Sequence, residues 1–211
     1  MAEDTLGYVK NYGVSNAELR LQVAKWINDL FMTYAKSKGK KRWAEKTPDH
    51  SLNIPFLAEL FPEAFFIHIV RDGRDVACST AILSDERKAM CEWHSKNILL
   101  DENAVVENTL QNAALRWKTW SLKIERSISS LNAITLRYED LIISTERELR
   151  RLMGFIGEKY EPSMLSYNRV KHDFPEWEWG SRDVKRLPSI TNRSLERWKR
   201  QLSPELILMN S

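Results

Sequence analysis

Apolar residues recur along this chain with two different periods, and the switches between them mark its elements. Val23, Trp26, Ile27, Leu30, Phe31 and Tyr34 fall at the spacing of one face of an α-helix. That spacing predicts a helix from Ser15 to Gly39, with Ser15 and Glu18 set for a capping box and Gly39 as the stop. "KKRWAEK" comes next as a short extended segment, and "SLNIPFLAELF" as a short helix with Pro62 beyond its end. "AFFIHIV", 64–70, is a near-continuous apolar run rich in β-branched and aromatic residues, the pattern of a strand buried on both faces. A helix from Arg74 to Leu83 is predicted next.

Leu110, Ala113, Trp117, Trp120, Ile124 and Ile128 mark a long amphipathic helix. "AITLRY", 133–138, predicts another buried strand. Thr145 to Ile156 reads as a helix stopped by Gly157, and 194–202 as a last helix in an aromatic, basic tail. Residues 85–103 are polar and irregular. The order α, β, α, β, α, α, β, α favours an α/β fold, a parallel sheet covered by helices.

Composition narrows the function classes. The 211 residues suit one domain, and 43% hydrophobic with 29% charged is an ordinary globular balance. A net charge of +3 is too small to argue nucleic-acid binding, but it suits a local anionic ligand if the positive charge is clustered. The basic tail and eight tryptophans leave nucleic acid as a rival, although Trp117 and Trp120 sit on an apolar helix face. Two cysteines make no disulfide framework, which favours a reducing, cytoplasmic setting. No apolar run approaches the roughly 20 residues that span a membrane, and "MAEDTLGYVKNYG" does not read as a signal peptide. Cys91 and His94 are three apart but fall short of a tetrahedral metal set. Cys78 reads as a small buried residue.

In a parallel α/β sheet, ligands bind beyond the C-terminal ends of the strands. Arg71 directly follows the strand 64–70, Arg74 opens the next helix, and Ser79 lies one to two turns into it. An arginine fork and a hydroxyl beside a helix N-terminus make a site for a dianionic phosphate, with Asp72 and Asp75 orienting the guanidiniums. The alternative is a structural ion-pair network at a strand end. Glu45 and Lys46 end the earlier extended segment. If that segment is a neighbouring strand, Lys46 brings a compact positive charge to the same crevice, for an anionic transition state. Its alternative is a solvated lysine in the turn before Pro48.

"W-x-EKTP-x-H" followed by "LFPEAFFIHIVRDGRDVACS" resembles the sulfotransferase superfamily, in the bacterial branch related to tyrosylprotein sulfotransferases. "ITLRYEDLI", "LRRLMGFIG" and "SLERWKRQL" continue the resemblance in order, over about residues 40–205. It implies a fold similar to the P-loop kinases. It also implies transfer of a sulfuryl group from 3′-phosphoadenosine 5′-phosphosulfate (PAPS) to a hydroxyl or amine acceptor. Arg71 and Ser79 match the pair on the donor's 3′-phosphate, and Lys46 a lysine facing the transferred group. Tyr138 is similar to a tyrosine near the nucleotide, and Lys185 or Arg186 to a further donor contact. Gly73 stands where many members have proline and others glycine, a small departure.

Sulfuryl transfer should resemble phosphoryl transfer through a loose transition state, so positioning and charge dominate. The sulfuryl group carries less negative charge than a phosphoryl group, so no metal is expected. A base must take the acceptor's proton, and His50 and Glu45 are the nearby candidates. In the family the base commonly sits on the helix after a "G-x-x-R-S-G-T-T"-like loop that cradles the 5′-phosphosulfate. That loop is not found here, nor is a Walker A pattern, which argues against a small-molecule kinase. The expectation is one partial sulfotransferase domain lacking its first strand and that loop. It would have a helical lead-in over 1–40, a core over 41–157 and a donor-site segment over 158–211. Its catalytic activity is open, with a non-catalytic 3′-phosphonucleotide-binding protein as the alternative.

Overall fold

The structure is a computed structural model that describes residues 13–81, 110–169, 190, 192 and 195–202. Helix α1 spans Asn16–Ser37, α2 Ile54–Leu60, strand β1 Phe66–Val70 and α3 Gly73–Ala81. Then come α4, Leu110–Ile128; β2, Ala133–Arg137; α5, Tyr138–Ile143; α6, Thr145–Ile156; and α7, Trp198–Gln201. Short 3₁₀ segments occupy Pro48–Leu52 and Pro162–Arg169. The fold is α/β, with helices flanking a small parallel sheet in which β1 pairs with β2.

Residues 1–66 and 123–132 form one compact unit. Its long helix begins as the sequence dictates. The Ser15 hydroxyl accepts the Glu18 N–H at 3.2 Å, and the Glu18 carboxylate accepts the Ser15 N–H at 2.8 Å, closing the capping box. Gly39, at φ +67°, reverses the chain, and the Lys40 N–H returns to the Ala35 carbonyl at 2.8 Å. Trp43 organises the next segment. Its ring stacks on Phe31 of α1 at 4.9 Å between centroids and meets Phe61 edge-on at 5.7 Å, while its N–H donates to Asn28 at 3.1 Å.

The segment expected as an extended neighbour strand, 40–46, has no strand pairing. Side chains hold it instead: Trp43 in its aromatic cluster, and the Arg42 guanidinium over Phe65 at 5.3 Å. A backbone pinned by its side chains needs no ladder to be ordered.

Residues 67–122 and 133–211 belong to the second unit. Its core gathers Ala77 and Cys78 of α3, Ala113 of α4 and Leu136 of β2, all buried. The carboxylate of Glu148 on α6 is buried too. It accepts from Arg147 at 3.0 Å and from Arg151 at 3.0 Å, and Arg151 also donates to the Thr135 carbonyl of β2 at 2.9 Å. One arginine thus ties helix to strand and balances a buried charge. Those bonds hold the Glu148 carboxyl below its usual range, Arg151 being the larger cause.

β1 is not buried on both faces as its composition predicts. Phe66, His68 and Val70 are half-buried, but Ile67 and Ile69 are 44% and 52% exposed. A run of β-branched residues reports strand propensity and the capacity for burial, not whether a covering layer is present. Tyr138 begins α5 instead of ending β2, and α5 was not read from the sequence. Glu139 and Asp140 suit the positive first turn of that helix.

Gly73 shows why a glycine stands at the start of α3. A Cβ there would lie 2.4 Å from Trp117, inside the ring's own volume. Helix propensity alone would favour alanine by up to about 1 kcal/mol. Overpacking of this kind costs roughly 1–3 kcal/mol. Gly73→Ala is therefore expected to lower the urea midpoint despite its better propensity, and Trp117→Leu in the same chain to recover part of the loss. A midpoint raised by Gly73→Ala would mean that the ring moves aside freely.

Candidate functional site

The two strands leave the sheet at the same edge, because they are parallel. Arg71 and Asp72 follow β1; Tyr138 and Glu139 follow β2. Strand register carries over into the residues beyond. The Arg71 guanidinium carbon lies 4.9 Å from the centroid of the Tyr138 ring. One residue further on, the Asp72 N–H donates to Glu139 at 2.8 Å. The pair of strand ends is thus stitched by a cation–π contact and a hydrogen bond to a carboxylate.

Asp72 caps α3. One carboxylate oxygen accepts both the Arg74 N–H at 2.9 Å and the Arg74 Nε at 3.0 Å, and the other accepts Arg74 Nη2 at 2.6 Å. The helix N-terminus, expected to offer unpaired N–H groups, thus already has its Arg74 N–H capped by Asp72. The other face of the Arg74 guanidinium rests on the Trp198 ring at 3.9 Å. Arg74 is held in a bidentate clamp that links α3 to the C-terminal turn. The hydrogen bond from Arg74 pulls the Asp72 carboxyl below its usual range, and the same bond raises Arg74.

Asp75 sits at the centre, 1% exposed. One oxygen accepts the Trp198 backbone N–H at 3.0 Å; the other faces Arg71 Nη2 at 3.5 Å. Arg71 is thereby held between the Tyr138 ring and a buried carboxylate, with 21% of its side chain exposed. Ser79, half-buried, lies four residues after Asp75 and so shares its face of α3. Burial raises the Cys78 thiol, with the Asp75 charge a second cause, which suits a packed, unreactive sulfur. An open cleft lined by Glu139, Ile143, Asn192, Leu195, Glu196 and Arg200 adjoins this cluster through Glu139.

The other expected residues stand in the first unit. Glu45 faces His50 Nδ1 at 2.6 Å and also accepts the Thr47 hydroxyl, so the EKTP turn closes on its own glutamate. Lys46 is exposed in the same turn. Lys185, Arg186, Cys91, His94 and the stretch 85–103 lie outside the described residues. Among the described residues, no group of three or more His, Cys, Asp or Glu gathers to hold a metal, and no helix is long and apolar enough to cross a membrane.

Three contributors were not singled out for this site from the sequence: Glu139, Trp198 and Trp117. Glu139 was within reach, because two parallel strands that end at Val70 and Arg137 must present 72 and 139 side by side. The bond from Trp198 to Asp75 carried no such signal, since it is made by a backbone N–H and any residue except proline has one.

Comparison with known proteins is consistent across sequence and structure. A family model described as the sulfotransferase family matches residues 9–162. A Caenorhabditis briggsae protein named as a protein-tyrosine sulfotransferase is 24% identical over 199 residues, covering 90% of this chain and 63% of its own. The omega-hydroxy-beta-dihydromenaquinone-9 sulfotransferase of Mycobacterium tuberculosis is 33% identical over 158 residues, covering 72% of this chain and 39% of its own. The solved sulfotransferase domain from the curacin biosynthetic pathway superposes with a TM-score of 0.64 at 17% identity, over 84% of this chain and 62% of that one. The chain thus spans between two fifths and two thirds of the length of these proteins.

The Asp72 clamp has a pH signature. A carboxyl whose folded pKa is depressed adds stability that is complete above its unfolded value, near 3.9, and lost as pH falls through the folded value. The stability difference between the protein and Asp72→Asn should be constant above about pH 5 and shrink below about pH 4. Urea midpoints between pH 3 and 7 measure it. A difference independent of pH would mean that Asp72 acts as a neutral cap.

Proposed function

From the premise that this chain belongs to the sulfotransferase family, we propose that it binds PAPS and moves its sulfuryl group to a hydroxyl or amine acceptor. The observation that carries the donor reading is the placement of Arg71 beyond the sheet edge, held by Tyr138 and Asp75, with Ser79 further along α3. Arg71 and Ser79 take the 3′-phosphate in this reading, the guanidinium as a charged donor and the hydroxyl as a neutral one. Tyr138 supports the arginine with its ring face and lies near the nucleotide. Arg74, already clamped, contributes by fixing the start of α3, and Lys185 or Arg186 adds a donor contact.

In the transfer itself, the bond between sulfur and the bridging oxygen of the 5′-phosphate breaks as the acceptor's oxygen or nitrogen bonds to sulfur. The acceptor's proton passes to a base, and 3′-phosphoadenosine 5′-phosphate leaves. Lys46 is assigned to the charge of the transferred group by its match to the family motif. His50 and Glu45 are the candidate base and its partner, and their 2.6 Å contact suits that pairing, since a carboxylate on Nδ1 leaves Nε2 as the proton acceptor. No step in this scheme requires a metal ion. The acceptors of the relatives, protein tyrosine and a menaquinone alcohol, both present a hydroxyl. That shared chemistry favours a hydroxyl acceptor here.

Calorimetric titration with 3′-phosphoadenosine 5′-phosphate tests the donor site, with 5′-AMP as the control. Saturable binding is expected to exceed that of 5′-AMP. Arg71→Ala should weaken it by about 10- to 100-fold, the scale of one lost charged hydrogen-bonding group. Equal affinity for the two nucleotides would sink the reading.

A further inference from the structure

Trp198 is given no part in the proposed reaction, yet it holds the group behind Arg71. Its backbone N–H fixes one oxygen of Asp75 at 3.0 Å, and the second oxygen is thereby turned to Arg71 at 3.5 Å. Its ring carries the Arg74 guanidinium at 3.9 Å, and Arg74 is in turn clamped by Asp72, the neighbour of Arg71. Two independent paths therefore run from one tryptophan of the C-terminal turn to Arg71. One passes through a buried carboxylate and the other through the cap of α3.

We propose that Trp198 is a positioning residue for 3′-phosphate recognition, acting on Arg71 through Asp75 and Arg74. The inference rests on the donor-site reading and adds a partner to it. Asp75 is 1% exposed, so its charge must be balanced inside the protein. Arg71 and the Trp198 N–H divide that task. When a phosphate dianion draws on the arginine, Asp75 leans more on the amide, and the turn at 195–201 is held more firmly. Linkage makes the effect reciprocal: a loosened turn weakens binding of the 3′-phosphate by the same factor. The 5′-phosphate and the adenine do not engage this path, so they are indifferent to it.

Two measurements test the proposal on the full chain. Amide hydrogen exchange of Trp198 reports its bond to Asp75 directly and needs no variant. Saturating 3′-phosphoadenosine 5′-phosphate is expected to slow that exchange about 5-fold or more, while 5′-AMP leaves it unchanged. Trp198→Ala, which removes the ring but keeps the amide, should reduce the affinity ratio of the two nucleotides by a similar factor. Trp198→Phe, which restores a ring face, should return most of it. An unchanged exchange rate overturns the inference. So does an equal loss for both nucleotides in Trp198→Ala, the mark of a merely structural role. A wild-type chain that does not distinguish the two nucleotides sinks the donor site itself. Discrimination that survives Trp198→Ala sinks only the positioning role of Trp198.

Discussion

The parallel pairing of β1 with β2 is the constraint on which the rest of the second unit depends. Parallel strands end on the same edge, so the residues after them are brought together without any loop having to reach. Arg71 meets Tyr138, and Asp72 meets Glu139, because each pair stands at the same step beyond the sheet. An antiparallel pairing of the same two segments would put these residues at opposite ends. α3 then starts immediately, and its first turn carries Asp75 and its capped arginine into the same corner.

A buried carboxylate at this corner accounts for much of the surrounding chemistry. Asp75 has almost no access to water; one oxygen accepts a hydrogen bond and the other has an ion pair at 3.5 Å in place of one. One partner comes from the end of β1 and the other from the C-terminal turn, more than a hundred residues later. Segments distant in sequence are therefore joined at the candidate site by a single buried carboxyl group. Glu148 on α6 is a second buried carboxylate, paired within its own helix with Arg147 and Arg151.

The sequence was legible where local rules decide structure. The capping box at Ser15 and the stops at Gly39 and Gly157 follow from chemistry within a few residues, and the spans of α4 and α6 from apolar spacing. The pairing of Asp72 with Arg74 and of Asp75 with Arg71 was also foreseeable, because close spacing and opposite charge point the same way. Legibility failed where an answer depends on what lies across the fold. "AFFIHIV" has the composition of a strand covered on both sides, and exposure of Ile67 and Ile69 is a property of their surroundings. "KKRWAEK" could be ordered by a ladder or by its own aromatic ring, and only the packing of Trp43 decides. The site lies between these cases: its charges were visible in the motif, while the backbone N–H that completes Asp75 carries no side-chain signature.

The contact between Gly73 and Trp117 also restricts how this protein can change over evolutionary time. Any residue but glycine at position 73 brings a Cβ into the space that the indole fills. A side chain added at 73 while the ring stands crowds it, and a ring lost while 73 is glycine leaves a void. The cost of an exchange at either position therefore depends on what already stands at the other, so the two positions are expected to change together.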